Sequence, residues 1–379
     1  LAGEVELDRL ARMAITQKDV SVLVGWTPEQ QLGDLVERLK TSGAAVVELP
    51  MPPGAIPPTL LRTTKIGAPF RVLVDTYGVP PYSDVDPTAF AAIAFIVMFG
   101  MMFGDVGHGL LLVAFSAVLS RARHGRLARL RPSWPLVASA GVSSSLFGLF
   151  YGEFFGPTGI VPTLWIAPLD APLTLLKAAL VVGATLLAIS YVLGASNRWR
   201  ERGLGAALYA EGGLAGALVF SGVAAAALGW MRESAIAKTA GLVLAAFGVA
   251  LLFAGTLAQA GRGAGGITRG VIEIMDALIR IGSNVISFTR LAAFGMTHAA
   301  VSSVTLEGAR HLAGGVLGWI LAALLFLVGT AVAVTLEGLV AAIQALRLEY
   351  YELFSRIFAE EGLPFKPFTL PVRSTEDKI

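Results

Sequence analysis

No cysteine occurs among the 379 residues, so disulfides, thiol catalysis and thiolate metal sites are excluded. Charge is also scarce: Asp, Glu, Lys and Arg make up 15% of the chain, against about 25% in an ordinary soluble protein. The net charge is +2 and the basic residues are scattered through short loops, which points away from a nucleic-acid partner. Histidine is rare, with four in the chain and no H-x-x-x-H spacing, and this argues against a metal centre. There is no GxxxxGK[ST] loop, so the chain does not itself hydrolyse ATP, and no cofactor is expected. Residues 4–19 are too polar for a signal peptide and position 1 is Leu; the chain reads as a fragment lacking an N-terminal portion.

What the chain has in abundance is apolar length. Hydrophobic residues make up 55% of it and mean hydropathy is +0.70, the composition of an integral membrane protein. Apolar stretches recur at about 88–119, 133–152, 172–193, 205–231, 239–259, 271–306 and 313–349. A membrane span needs roughly 20 residues, so the stretches suggest seven crossings at face value. Arg121, Arg123, Arg126, Arg129 and Arg131 follow the first stretch, Arg198, Arg200 and Arg202 the third, and Arg262 and Arg269 the fifth. Positive residues mark cytoplasmic loops, and the loop with Glu153 and Asp170 falls outside.

The stretch 88–119 would be about 48 Å long as one helix, long for one crossing and short for two. If the N-terminal segment is cytoplasmic, the stretch must cross twice to leave Arg121 inside, turning at "FGDVGHG" (103–109). The expected fold is then an all-α membrane protein of about eight transmembrane helices, the last two long and tilted, with both termini cytoplasmic. One long tilted helix with the N-terminal domain outside is the alternative.

Residues 1–66 have soluble character and read as the end of a small cytoplasmic α/β domain and its linker; 67–379 form the membrane domain with a short cytoplasmic tail. "VSVLVGW" (20–26) and "AAVVEL" (44–49) read as strands. Between them Thr27 is placed to cap a helix, with Pro28 at its first position, Gln30 closing a capping box, and Leu32, Leu35, Val36 and Leu39 on one apolar face. "PMPPGAIPP" (50–58) is a proline-rich linker.

Arg290 lies within the apolar run "NVISFTRLAAFGMTHAAVSSV" (284–304). Its guanidinium stays charged, at a cost of roughly 2.5–3.5 kcal/mol near a bilayer centre. On a continuous helix with Arg290 at zero, Ser283 falls at about 20°, Asp276 at about 40°, Ser287 at about 60°, His298 at about 80° and Thr297 at about −20°. The last stretch repeats the pattern, with Glu337, Gln344, Arg347 and Tyr351 within about 80° of one another. These groups either pair to lock two helices together or line an ion path, and His298 is read equally well as a buried, hydrogen-bonded histidine. Two arginines on polar faces of adjacent helices suit a carboxylate brought by another chain, which they would hold ionised. A secondary transporter binding an anionic solute at Arg290 and Arg347 is the rival reading, although no internal repeat supports it.

Four motifs resemble a known family: "DPTAFAAIAFIVMFGMMFGDVGHGLLL" (86–112), "FGLFYGEFFG" (147–156), "NVISFTRLAAFGMTHAAVSS" (284–303) and "LEGLVAAIQALRLEYYELFSRIFAEEGLPFKPF" (336–368). From about Pro69 onward the chain is similar to the membrane subunit, known as a or I, of V-type and archaeal-type rotary ATPases, in a bacterial or archaeal form. The resemblance implies a stator that carries H⁺ or Na⁺ across the membrane through two half-channels, coupled to ATP hydrolysis or synthesis. It implies that Arg290 and Arg347 face a proteolipid c-ring (the K ring in some members) bearing the ion-binding carboxylate, with Glu337, His298 and Gln344 near the ion path. Chain direction suggests that Asp276 and Glu273 line a cytoplasmic half-channel and that His298 and Glu337 lie toward the outer one, while Ser283 and Ser287 join the ion-translocating set from the polar stripe of Arg290. Further implied partners are the peripheral stalks (E and G), the central stalk (C or d), the catalytic A/B head indirectly, and membrane lipid, in a prokaryotic plasma membrane. One difficulty is geometric: counted from an outer turn at 308–313 on upright helices, the two arginines differ in depth by roughly 24 Å. Steep helix tilts are therefore expected.

Overall fold

The computed structural model describes residues 2–52, 55–61, 67–260, 264–358 and 362–367; Arg262 and the C-terminal tail beyond 367 lie outside them. The chain divides into two compact units.

The first unit comprises Leu1–Arg62 with Val79–Tyr82 and Glu361–Ile379. Helix α1 (Ala2–Met13) precedes an antiparallel hairpin of β1 (Ile15–Gln17) and β2 (Val20–Val22), with Ile15 opposite Val22. Helix α2 spans Glu29–Lys40. Its cap is Pro28, in extended conformation and with no side-chain hydrogen bond, so the helix starts later than Thr27 and Gln30 suggest. Residues 44–49 form no strand, because a strand exists only through a hydrogen-bonded neighbour. None of the residues of α2 is buried, so its Leu32–Leu39 face covers no core. A short parallel bridge ties Thr59 to the segment near Pro364, with the Thr59 amide donating to the Leu363 carbonyl at 2.7 Å.

The second unit, Thr63–Gly78 with Ser83–Glu360, is helical and holds the buried core. A short helix α3 (Arg71–Asp75) leads to α4 (Thr88–Met102) and α5 (Val106–Arg121). Uninterrupted apolar sequence carries α4 to Met102, where Phe103 leaves helical geometry. Asp105 then starts α5 as its N-cap, accepting the His108 amide at 2.9 Å. After a short α6 (Arg126–Leu130), helix α7 (Trp134–Tyr151) packs against both. Ser143 donates to the Ile96 carbonyl (2.8 Å) and Tyr151 to that of Met101 (3.2 Å), so α7 runs parallel to α4. On α5, Gly109 faces Ser145 and Val106 faces Gly148, an antiparallel register in which a side chain at Gly148 would strike the Val106 backbone. The chain therefore reverses at 103–105, where the sequence placed its turn.

Helix α8 (Pro172–Arg202) crosses next and is followed by α9 (Leu204–Tyr209), α10 (Leu214–Met231) and α11 (Ala235–Ala260). Small residues bring α10 and α11 into close contact, Gly222 against Ala245 and Gly241 against Ala226, as suits helices in lipid, where packing must replace the hydrophobic effect. Helices α12 (Ala264–Ser287) and α13 (Thr289–Leu312) meet at Phe288. The last helix runs Gly315–Ile357 as α14 (Gly315–Val332), a π-helical turn (Ala333–Glu337), α15 (Gly338–Leu348), a second π turn (Glu349–Phe354) and α16 (Ser355–Ile357). Its length, about 64 Å, is twice the roughly 30 Å hydrocarbon core, so it must tilt steeply or project beyond the membrane. Among the described residues, five helices are long and apolar enough to cross, with α4 and α5 as shorter apolar helices. The protein is an integral membrane protein.

The loop before α4 is pinned to the ends of α8 and the last helix. Asn197 accepts the Val85 amide (3.0 Å) and donates to Asp84 (3.2 Å) and to the Ile357 carbonyl (3.4 Å). Burial, reinforced by the neighbouring Glu201 carboxyl, pushes the Asp84 carboxyl up from 3.8 to about 7. An acid whose folded pKa is raised binds more protons folded than unfolded, so its stabilising contribution is present below about pH 4 and lost as pH rises to about 7. Thermal unfolding of Asp84→Asn should therefore be less sensitive to pH between 4 and 7 than that of the parent, and the variant should be the more stable at pH 8. Parallel pH profiles would contradict this.

Candidate functional site

Arg290 stands in the first turn of α13, just after the Phe288 junction, rather than midway along a continuous helix. The Phe288 amide bonds to the Val285 carbonyl and the Leu291 amide to the Phe288 carbonyl, a tightening that resets the helix. The stripe expected from Asp276 to His298 is thus divided between two helices. On α13, Arg290 shares its face with the exposed Ala293, Thr297 and Val304. On the last helix, Arg347 sits in an exposed row with Leu339, Ile343 and Tyr351.

Helix α4 fixes the height of both arginines. Gly295 of α13 lies against the Met101 carbonyl, and Gly338 of α15 against the Phe103 ring. Followed inward from those contacts, Arg290 and Arg347 both fall near the level of Ile96, about 3 Å apart along the axes. The depth difficulty raised by the sequence disappears for an identifiable reason. Thr305 meets Gly329, Gly308 meets Leu325 and Leu312 meets Gly318, so the antiparallel pair is centred near residue 317 instead of 310. Among the described residues neither arginine forms an ion pair, and Arg290 Nη1 is buried without a hydrogen-bond partner. Gln344, one turn before Arg347, has its Oε1 buried and equally unpartnered. An unpaired cation and an unpaired acceptor thus share one level beside two exposed faces.

About 12 Å along α13 from Arg290, His298 and Glu337 meet, with Nδ1 and Oε2 at 2.7 Å. His298 is 3% exposed and its Nε2 has no partner. Its ring lies 4.4 Å from that of Phe103 and edge-on to His108 at 5.1 Å. His108 in turn stands 3.3 Å from Asp105, which also accepts the amides of Phe155 (3.0 Å) and Gly156 (2.7 Å). Asp105 therefore joins the start of α5 to the loop after α7, and that loop lays Phe155 across His108 with rings 5.2 Å apart. A small cavity beside His108 is lined by Ser302, Thr305, Phe326 and Thr330, and the Ser302 hydroxyl is buried without a partner.

Asp105 and His108 were not among the expected site residues, since "FGDVGHG" reads as a turn. The available signal was an Asp three residues ahead of a His at a helix start within apolar sequence. Glu273 and Asp276 stand apart from the arginines. Glu273 pairs with Arg269 (3.0 Å) and accepts Thr256 (2.6 Å), while Asp276 pairs with Arg280 one turn on. Ser283 is exposed and Ser287 half-buried. A second buried network was also unforeseen: Arg356 pairs with Glu211, which lies 3.5 Å from Arg280.

Residues 8–156 match the model of the V-type ATPase 116 kDa subunit family. The A-type ATP synthase subunit I of Pyrococcus horikoshii is 27% identical over 374 residues, covering 94% of this chain and 55% of that protein. The subunit I of Archaeoglobus fulgidus is 36% identical over 166 residues, covering 43% of this chain and 23% of its own. The human V-type proton ATPase 116 kDa subunit a 3 is 34% identical over 185 residues, covering 43% of this chain and 22% of its own. The chain spans about half the length of the archaeal relatives that it matches from end to end. With a family match over the α4–α5 turn, and with relatives of one kind along nearly its whole length, the chain is similar to the V-type ATPase 116 kDa subunit family and to the subunit a and subunit I proteins of the V/A type.

Proposed function

We propose that the chain is the membrane stator of a V/A-type rotary ATPase and carries H⁺ or Na⁺ between two offset half-channels, coupled to ATP turnover in the rest of the complex. The observation that carries this reading is the pair of unpaired arginines at one level, each on an exposed face of a membrane helix. Arg290, whose Nη1 is buried with no partner among the described residues, needs one from outside. A ring of small proteolipids, each with a membrane-embedded carboxylate, supplies it.

In this mechanism each arriving carboxylate is held ionised by the Arg290 and Arg347 charges and releases its ion. Moving on into lipid, it must be neutralised again, so it takes up an ion before leaving. The fixed positive charges repel any cation attempting to pass directly from one half-channel to the other. His298, Glu337, His108 and the Ser302 cavity supply polar groups for the outer half-channel, whose axis continues to the level of the arginines. Gln344 lies between the two. Glu273, Asp276, Ser283 and Ser287 on α12 serve the cytoplasmic side, where their exposed ion pairs would keep water close. The membrane topology that accompanies this is eight crossings, by α4, α5, α7, α8, α10, α11, the α12–α13 pair and the last helix. Residues 1–66 are then the end of the cytoplasmic domain that reaches the peripheral stalks.

The absence of cysteine makes a direct test simple. A cysteine at Leu339 or Ile343, both on the Arg347 face, should cross-link within the intact complex to a cysteine placed beside the proteolipid carboxylate. A cysteine at Leu173 or Val192 on α8, equally exposed, should not. Absence of any proteolipid adduct from the Arg347 face would remove the rotary reading and favour a solute carrier.

A further inference from the structure

We propose that Asp105, His108 and His298, backed by Glu337, form a binding site for one divalent transition-metal ion of the Zn²⁺ type, and that an ion bound there closes the outer path. The second clause rests on the functional reading above; the first does not.

One ligand atom from each of Asp105, His108 and His298 lies within 4.8 Å of the other two, and all three residues are buried. Zinc bonds nitrogen and oxygen at about 2.0–2.2 Å, which sets neighbouring tetrahedral ligands roughly 3.3 Å apart. His108 Nδ1 and Asp105 Oδ1 already stand at 3.3 Å, without making a hydrogen bond. Only the His298 ring must close in. Its two nitrogens are in the states a metal-binding histidine needs: Nδ1 is held by Glu337 at 2.7 Å, and Nε2 is buried and free. A carboxylate behind a ligating imidazole fixes the ring and raises its basicity.

The charge balance points the same way. Two carboxylates, Asp105 and Glu337, face two histidines in a site where Asp105 is 0% and His108 2% exposed. Buried charge of one sign needs an opposite charge nearby, and a divalent cation supplies it. The ligands come from α5 and α13, some 190 residues apart in sequence, so no spacing motif could announce them. Access is through the small cavity beside His108, and Ser302 and Thr305 line it.

The test uses the whole purified chain in detergent, stripped with chelator and titrated with Co²⁺, whose visible bands report nitrogen and oxygen ligation. The other two histidines, His124 and His311, are exposed and are replaced by alanine to give a background without competing imidazoles. The expected result is one Co²⁺ per chain, displaced by Zn²⁺. His298→Gln should weaken binding by about 100-fold or more, and Glu337→Gln by about 10–100-fold, the usual effect of losing such a backing carboxylate. Thermal unfolding of each variant shows that it is folded. No stoichiometric Co²⁺ uptake by the His124→Ala/His311→Ala chain, or the same affinity after His298→Gln, overturns the site. In the intact complex, Zn²⁺ should stop ATP-driven ion uptake and a chelator should restore it. Undiminished uptake at a Zn²⁺ concentration that saturates the cobalt site overturns the blocking role alone. Failure of the stator reading itself would show separately, as proteolipid cross-linking that does not occur.

Discussion

Arg290→Ala should leave the complex assembled and reduce ATP-coupled ion transport by about 100-fold or more, equivalent to roughly 2.7 kcal/mol in the coupled step. The two halves of this expectation have opposite physical origins. Arg290 Nη1 is buried and unpartnered, so its removal relieves a cost of roughly 2.5–3.5 kcal/mol. The isolated chain should therefore be no less stable, and a folding defect cannot account for lost transport. In the proposed mechanism, what disappears is the fixed charge that would drive the ring carboxylate to ionise. Lysine at this position keeps the charge but loses the planar fork, so Arg290→Lys should retain part of the activity. Arg347 is exposed on its helix, so Arg347→Ala should be the milder change. The measurement is ion uptake into proteoliposomes, with proteolipid co-purification as the control for assembly. Transport at the parental rate in Arg290→Ala would end the assigned role.

How far the sequence foretells this arrangement depends on how local each feature is. The α4–α5 reversal is legible because its causes are adjacent: Phe103 and Gly104 end one helix and Asp105 caps the next. Charge in an apolar run is equally local, so Arg290 and Arg347 stand out without any structure. Their relative height does not, because it depends on where α13 and α14 first touch. Leu312 meets Gly318, several residues beyond the apparent turn, and the π turn at Ala333–Glu337 adds to the count. The break at Phe288 was hidden for a related reason. Phe288 is 0% exposed and packs on Gly183 of α8, so tertiary packing, rather than any helix breaker, sets the junction. The Asp105–His108–His298–Glu337 cluster was out of reach because it joins distant segments. In the first unit, the strand expected at 44–49 fails for want of a partner strand among the described residues.

Glu211→Gln should cost about 3–5 kcal/mol of stability, the usual penalty for stranding one charge of a buried pair, whereas Arg356→Met should cost only roughly 1–3 kcal/mol. The asymmetry follows from burial: the side chain of Arg356 is 3% exposed and that of Glu211 32%. Without Glu211, a charged guanidinium stays inside with the Tyr191 ring 5.6 Å away and the Asn284 amide, which accepts from Nη2 at 3.0 Å. Without Arg356, Glu211 still has Arg280 at 3.5 Å and a share of solvent. Thermal unfolding of the purified chain distinguishes the two, and an Arg356→Met defect as large as that of Glu211→Gln would refute the argument. The same pair bears on transport. Arg198 donates to the carbonyls of Gly194 (3.0 Å), Gly212 (2.9 Å) and Arg356 (3.0 Å), so α8, the loop before α10 and the end of the last helix are held as one joint. Arg347 lies nine residues, or about 14 Å, before Arg356 on that helix. Loosening the joint should let Arg347 drift from the level of Arg290, so Glu211→Gln should lower coupled transport in complexes that still assemble.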